Sequence, residues 1–403
     1  MSKYTKIHEE RKKYINGTSG ISGLKNLGNS CYLNSILQCL SHIDLFRTWL
    51  IEDGYKGRLD NNLPNLKHDS IVLKLAELFK NLWFYNAEIS PRSIKTTMGK
   101  ISDTFNNNEQ QDSHEFLNVL LDTIHDEVAG KVTMTFLNVP DDVAKLMEFM
   151  DFYTGTAHTP NEKLYLETNL NKYKEENPDV VTIYNAYKYW EGYVVRSHSM
   201  ITNLFTGLYY SSVICDECHT ITDTFEPFTI VSLPIKEKGI TTLEESLREF
   251  TKEEILTGDN KFYCSKCKHN VDAHKKMYIW EPPRVLIIQL KRFKNTTRNI
   301  TDNFSINSTS KISTQVVFPF ENLDLAPQLS ELHQVANTKY DLYATSNHNS
   351  RICNMGHYVA YCKKSMNNSW YKYDDDDVYY IPNDEVKGKV MTEEAYILFY
   401  VRQ

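Results

Sequence analysis

GLKNLGNSCYLNSILQCL, the stretch from Gly23 to Leu40, sets one cysteine, Cys31, at the mouth of a helix. From Tyr32 onward the apolar residues Leu33, Ile36, Leu37 and Leu40 fall at i, i+3, i+4 and i+7, the pattern of one buried helix face. Asn29 and Ser30 are N-cap residue types, which predicts Cys31 in the first turn. There the unpaired backbone N–H groups and the positive end of the helix dipole favour a thiolate. A free cysteine is equally at home as a small buried hydrophobe, and this segment alone does not choose between the two.

Outward from Cys31 the periodicity divides the chain. Ile71–Phe84 (IVLKLAELFKNLWF) and Glu115–Glu127 (EFLNVLLDTIHDE) carry helical spacing. From about Leu204 the pattern changes to short apolar and β-branched runs at Phe228–Ile235, Tyr278–Ile279, Val285–Leu290, Tyr340–Ala344, Tyr358–Cys362 and Tyr396–Val401. Helices first and strands later predict an α+β protein rather than a doubly wound sheet. Between the halves, residues 131–199 read as a partly helical, aromatic-rich insertion. The Asn-, Thr- and Ser-rich stretch Lys294–Thr314 reads as a solvated loop.

The chain has 403 residues, enough for two or three subdomains around a large core. A formal charge of −7 disfavours non-specific nucleic-acid binding and suits a basic protein partner. The first residues are basic without an apolar stretch behind them, and no run of about 18 apolar residues occurs, so neither a secretory signal nor a membrane span is expected. An intracellular chain, cytoplasmic or nuclear, is the expectation, and its eight cysteines read as ligands, nucleophiles or buried thiols rather than disulfides.

Cys215 and Cys218 form one C-x-x-C and Cys264 and Cys267 a second, about 45 residues on. Four thiolates predict a closed tetrahedral zinc site, which stabilises a fold and does not activate water. His219 and His269 lie near enough to replace a cysteine, although each reads as a surface residue in a polar turn. A zinc ribbon is also a nucleic-acid element, but little basic, aromatic-interleaved surface surrounds this one apart from Lys261, Lys266, Lys268, Lys275 and Lys276.

A cysteine nucleophile needs a base, a group that orients the base, and donors for an oxyanion. In GHYVAY, His357 opens an alternating strand, and Gly356 before it leaves room for a substrate backbone. Thirteen residues after His357, WYKYDDDDV reads as a strand followed by a carboxylate-rich turn, and a hairpin would set Asp374 beside the imidazole.

Taken in order, these motifs resemble the ubiquitin-specific proteases, a papain-like family of cysteine deubiquitinases, from about Gly23 to Arg402. Gly23–Leu40 is similar to the family's Cys box, with Ser30 where Thr is usual, and NNEQQDSHEFLNVLL (Asn107–Leu121) to its glutamine–aspartate segment. HSMITNLFTGLYYSSVICDEC, FYCSKC and PPRVLIIQLKRF resemble the zinc-bearing fingers and the strand beyond them. YDLYATSNHNSRICNMGHYVAY with WYKYDDDDV resembles the His box, and AYILFYVR its closing strand.

The resemblance implies a hand-shaped fold. After an N-terminal extension (1–22), a catalytic domain (23–403) would comprise a helical thumb to about 200 with the insertion 131–199, zinc-ribbon fingers (201–284) and a palm (285–403). It implies Cys31 as nucleophile, His357 as general base and later acid, Asp374 as the group orienting it, Asp375 as an assisting neighbour, and Asn26 as the oxyanion amide. Gln111, Asp112, Glu115, Gly356 and Tyr358 would contact ubiquitin's glycine-ending tail, Asp112 meeting its basic residues. The stretch Ser346–Met355 would be a loop beside the cleft. The implied reaction is hydrolysis of the bond after ubiquitin's C-terminal glycine, with zinc structural and no cofactor in the chemistry. The partners would be ubiquitin and ubiquitinated proteins, with neither nucleic acid nor membrane, the domain itself being monomeric and open to a regulatory protein partner. The competing expectation is a catalytically silent ubiquitin-binding scaffold, against which Cys31, His357 and Asp374 are all present.

Overall fold

In the computed structural model, which describes residues 19–66, 69–84, 89–301, 304–352 and 355–403, the helix predicted after Asn29 runs from Cys31 to Ser41 and is buried on every side. Most of the expected extension 1–22 lies outside the described residues. Burial reaches the helix's polar face, where Asn34, Ser35, Gln38 and Ser41 each make at least one hydrogen bond. Asn34 donates to Leu24 O, Gln38 to Ser22 O, Ser41 to Gln38 O, and Ser35 shares a hydrogen bond of 3.0 Å with Ser346 of the large sheet. Ser30 stands at the N-cap position but does not cap the helix: its hydroxyl accepts from Leu27 N at 2.8 Å. Asn29 is in the left-handed region (φ 52°), which turns the chain into the helix.

Around it pack Asp44–Ile51, Ile71–Phe84 and Ser113–Val128, joined by Leu24, Ile94, Phe105 and Phe205 in one core. The last of these helices begins before the predicted Glu115 because Asp112 caps it, accepting from His114 N at 2.7 Å. At its other end the fully buried Glu127 caps a neighbour. Its carboxylate accepts from Ser70 Oγ (2.6 Å), Ile71 N (2.7 Å) and Val72 N (3.0 Å), so it satisfies first-turn donors of the Ile71–Phe84 helix that have no partner within the helix. Glu127→Ala leaves those donors buried without an acceptor and should destabilise the protein by about 3 kcal/mol in chemical denaturation.

The insertion is more helical than expected. Asp141–Gly155, Pro160–Glu176 and Pro178–Arg196 follow one another, the second opened by a Thr159–Glu162 capping box. The third lays Ile183, Ala186 and Trp190 on Leu208, Tyr210 and Trp280.

The second half is built of two main sheets. In the larger, the order is Asp377–Ile381, Ser369–Asp374, Met355–Lys364, Lys339–Ile352, Ala395–Arg402, Val285–Leu290 and Ile230–Leu233, antiparallel except for the last pair, with Leu323–Asp324 paired to Lys339–Ile352. The smaller runs Ile221–Phe228, Gly207–Cys215, Ala273–Glu281, Glu254–Leu256. The run predicted as one strand over Phe228–Ile235 therefore breaks at Thr229, where the chain leaves one sheet for the other.

Two expected loops are strands. Within Lys294–Thr314 the chain forms an antiparallel hairpin, Phe293–Thr301 with Phe304–Lys311. Hydropathy misses it because threonine, polar yet β-branched, favours an extended backbone. Ser346–Ile352 continues the strand begun at Lys339, and Met355 opens the next.

Candidate active site and cysteine cluster

His357 lies on the strand Met355–Lys364 and Asp374 closes the adjacent strand, one residue beyond the last pair, Ala360 with Tyr373. His357 Nε2 is 2.5 Å from Asp374 Oδ1, and the Cys31 sulfur is the other group that acts on the imidazole. Cys31 is buried at the first position of its helix. Cys31 is the largest cause holding His357 protonated up to about 9; burial opposes it, and the bond to Asp374 adds to it. The imidazole is 42% exposed, so solvent screens these charges. Burial pushes the Asp374 carboxyl up, but Lys372, 2.7 Å from Oδ2, and His357 together outweigh it and hold it below the usual carboxylate range.

Asp375 anchors a different residue from the imidazole. Its Oδ2 is 3.9 Å from His357 Nε2 but accepts from Asn26 Nδ2 at 2.7 Å, while Oδ1 accepts from Asn34 Nδ2 at 2.7 Å. Asn26 Oδ1 in turn accepts from Gly28 N (2.9 Å) and Ser30 N (3.3 Å), which fixes its amide and leaves one Nδ2 hydrogen uncommitted to Asp375. The two segments meet through their backbones, Leu24 N donating to Asp375 O at 2.7 Å. A Cβ on Gly23 would lie 2.2 Å from Asp376 O, so only glycine allows this approach.

The five expected substrate residues are dispersed in role. Asp112 is committed within the fold: besides capping its helix it accepts from Tyr396 Oη with both oxygens (3.0 and 2.9 Å). Gln111 donates to Asn107 Oδ1 at 3.0 Å, and Glu115 is exposed on the first helical turn. At Gly356 a Cβ would lie 2.2 Å from His348 Nε2, so the glycine makes room for a neighbouring strand's histidine. Tyr358 is 5% exposed and packs against His348 with ring centroids 4.6 Å apart, a core position rather than a cleft wall.

Sequence reasoning passed over Gln110 and Lys372. Gln110 makes two hydrogen bonds to the Gly356 backbone, Nε2 to O (2.6 Å) and N to Oε1 (2.8 Å), tying the segment before the Ser113 helix to the one bearing His357. Nothing local in the sequence separates it from Gln111. Lys372 was legible: two residues from Asp374 on a strand, it shares that residue's face.

The four cysteines converge, all sulfurs within 4.8 Å of one another, Cys215 to Cys267 at 3.8 Å and Cys218 to Cys264 at 3.6 Å. The N–H groups of Cys218 and Cys267 turn toward the sulfurs of Cys215 and Cys264 (3.4 and 3.5 Å), and the residues after each motif, His219 and Lys268, take left-handed conformations (φ 54° and 64°). Two matching turns thus present four soft donors to one point, which fits a tetrahedral metal ion. His219 is exposed, and His269 bonds Glu217 and Cys267 O, so neither histidine joins the cluster.

A family model described as ubiquitin carboxyl-terminal hydrolase matches residues 22–400. Ubiquitin carboxyl-terminal hydrolase 2 of Homo sapiens is 32% identical over 385 residues, covering 94% of this chain and 55% of the human protein, so the chain spans about half that relative's length. The protein of the same name from Gallus gallus is also 32% identical, with 94% of this chain and 93% of its own covered. Among solved structures, a chain of the SAGA Ubp8/Sgf11/Sus1/Sgf73 DUB module bound to ubiquitin aldehyde aligns with a TM-score of 0.67 at 25% identity, covering 96% of this chain and 71% of that one.

Proposed function

Because the chain belongs to the ubiquitin carboxyl-terminal hydrolase family, we propose that it is a thiol-dependent deubiquitinase, cleaving the isopeptide or peptide bond after ubiquitin's C-terminal glycine. The observation that carries the reading is the 2.5 Å pairing of His357 with Asp374 together with the influence of Cys31, at the first position of its helix, on that imidazole. In the proposed reaction the Cys31 sulfur attacks the glycine carbonyl, and the oxyanion is met by the backbone N–H at the Cys31 helix start and the remaining Asn26 amide hydrogen. His357 gives its proton to the departing lysine amine, which breaks the C–N bond and leaves a thioester. Water then adds, His357 taking its proton, and the C–S bond breaks to release the carboxylate. Asp374 orients the imidazole, and Asp375 holds Asn26.

The substrate tail would approach past Gln111, Asp112 and Glu115. Asp112 would act there as a fixed negative charge, since its oxygens already accept from Tyr396. Cys215, Cys218, Cys264 and Cys267 would hold a zinc ion that stabilises the fingers and takes no part in bond making. Ubiquitinated proteins are the proposed partners, met by the domain as a monomer. An intracellular setting is supported by free thiols at all seven described cysteines; among the described residues no helix is long and apolar enough to cross a membrane.

Ubiquitin carrying a C-terminal electrophile should label the zinc-loaded protein and fail to label Cys31→Ala, read as a mass increase of one ubiquitin. An intact protein that binds ubiquitin without reacting would instead be the silent scaffold.

A further inference from the structure

Lys372 and Asp374 project from the same face of the strand Ser369–Asp374. Lys372 Nζ stands 2.7 Å from Asp374 Oδ2 while Oδ1 is 2.5 Å from His357 Nε2. The carboxylate is gripped at both oxygens and cannot rotate about Cβ–Cγ without losing an ion pair. We propose that Lys372 is a positioning residue for the reaction: it fixes the plane of the Asp374 carboxylate against His357 and offsets part of its charge, so that the imidazole can both hold and release a proton during one turnover. This inference rests on the deubiquitinase reading.

The effect of Lys372 is electrostatic. A carboxylate whose charge is shared with an ammonium stabilises an imidazolium less than one facing it alone, and so loosens the proton that His357 must give to the leaving amine. The other charged and titratable groups around the pair are Cys31 and Asp375 from the facing elements, His348 from the adjacent strand, and Tyr361, Asp377 and Tyr379 near Asp374. All of them persist when Lys372 is replaced, and His348 is kept neutral by burial. Lys372 is partly exposed, which limits the effect and makes it dependent on salt.

The test compares wild type with Lys372→Met, Lys372→Gln and Lys372→Arg in two readouts between about pH 6 and 10. One is kcat/KM on a fluorogenic ubiquitin C-terminal amide. The other is iodoacetamide alkylation of Cys31 followed by peptide mass spectrometry, which needs no ubiquitin. Met and Gln should move the alkaline limb of kcat/KM, and the upper inflection of alkylation, to higher pH by about half a unit, and lower kcat roughly threefold to tenfold with KM unchanged. Arg should superimpose on wild type in the position of both inflections. A loss of activity with neither inflection moved would mark Lys372 as merely structural, and a move to lower pH would reverse the electrostatic argument; either overturns the proposal. If the alkylation inflection moves while wild type turns over no ubiquitin substrate, the deubiquitinase reading fails and the Lys372 coupling stands.

Discussion

Replacing Cys264 and Cys267 together with serine should cost the chain its metal and its fingers while the helices around Cys31 stay folded. The expectation comes from how little else holds that end of the molecule. The core beside the four sulfurs consists of Cys215, Cys264 and Val271, with Phe262, Cys218 and Cys267 half-buried around them. The hairpin that carries the second pair is two strands of three residues, Phe262–Cys264 and His269–Val271, too short to be stable alone. Four thiolates on one zinc contribute apparent binding energy on the order of 10 kcal/mol, and because the site does not exist in an unfolded chain, that energy is folding energy. Wild type should therefore contain about one zinc per chain, the double variant none. Amide exchange should lose protection across the small sheet that pairs Gly207–Cys215 with Ala273–Glu281, and leave the Ser113–Val128 helix unchanged. A well-folded wild-type protein without metal would sink the zinc reading. So would a double variant whose fingers remain protected.

That cluster was readable in the sequence because its chemistry is local: two C-x-x-C pairs need only a turn each, and the distance between them is spanned by strands. The Cys31 helix was readable for the same reason, its apolar spacing being a property of eleven consecutive residues. What escaped were competitions settled by tertiary neighbours. Ser30 has the side chain of a cap, but Leu27 N reaches its hydroxyl first. Gly356 has the residue type of a substrate channel, yet the space a side chain would take there belongs to His348, eight residues before it on the previous strand. Gln110 and Gln111 are chemically identical neighbours, and only the position of Gly356 across the fold separates the one that bridges from the one that bonds Asn107. Asp374 and Asp375 are likewise adjacent. The left-handed backbone at Asp375 (φ 54°) turns its carboxylate from the imidazole toward Asn26 and Asn34, a division of labour that no alternation rule contains.

Exchanging His357 for alanine is the other change expected to be large, lowering kcat/KM by roughly a thousandfold, since in the proposed reaction one imidazole would both protonate the leaving amine and deprotonate water. Its pH dependence follows from the raised affinity of His357 for its proton. The ordinary value near 6.5 is lifted to about 9, first by the Cys31 sulfur as acceptor for the imidazolium and then, against burial, by Asp374. A base whose folded-state value is raised contributes stability that is fully present below about 6.5 and fades as pH climbs through about 9. The difference in thermal midpoint between wild type and His357→Ala should therefore shrink across that window, and do so less steeply in high salt, because the group is 42% exposed. Activity should follow the same proton: wild-type kcat/KM falls on the alkaline side near pH 9, whereas the residual activity of the variant shows no such limb. Iodoacetamide offers the control that needs no substrate. At neutral pH, Cys31 of wild type should be alkylated faster than Cys31 of His357→Ala, because only the former sulfur has an imidazolium beside it. Equal alkylation rates at every pH would mean that the bond between Cys31 and His357 does not govern the thiol, and the nucleophile would then have to be activated, if at all, by the helix N-terminus on which it stands.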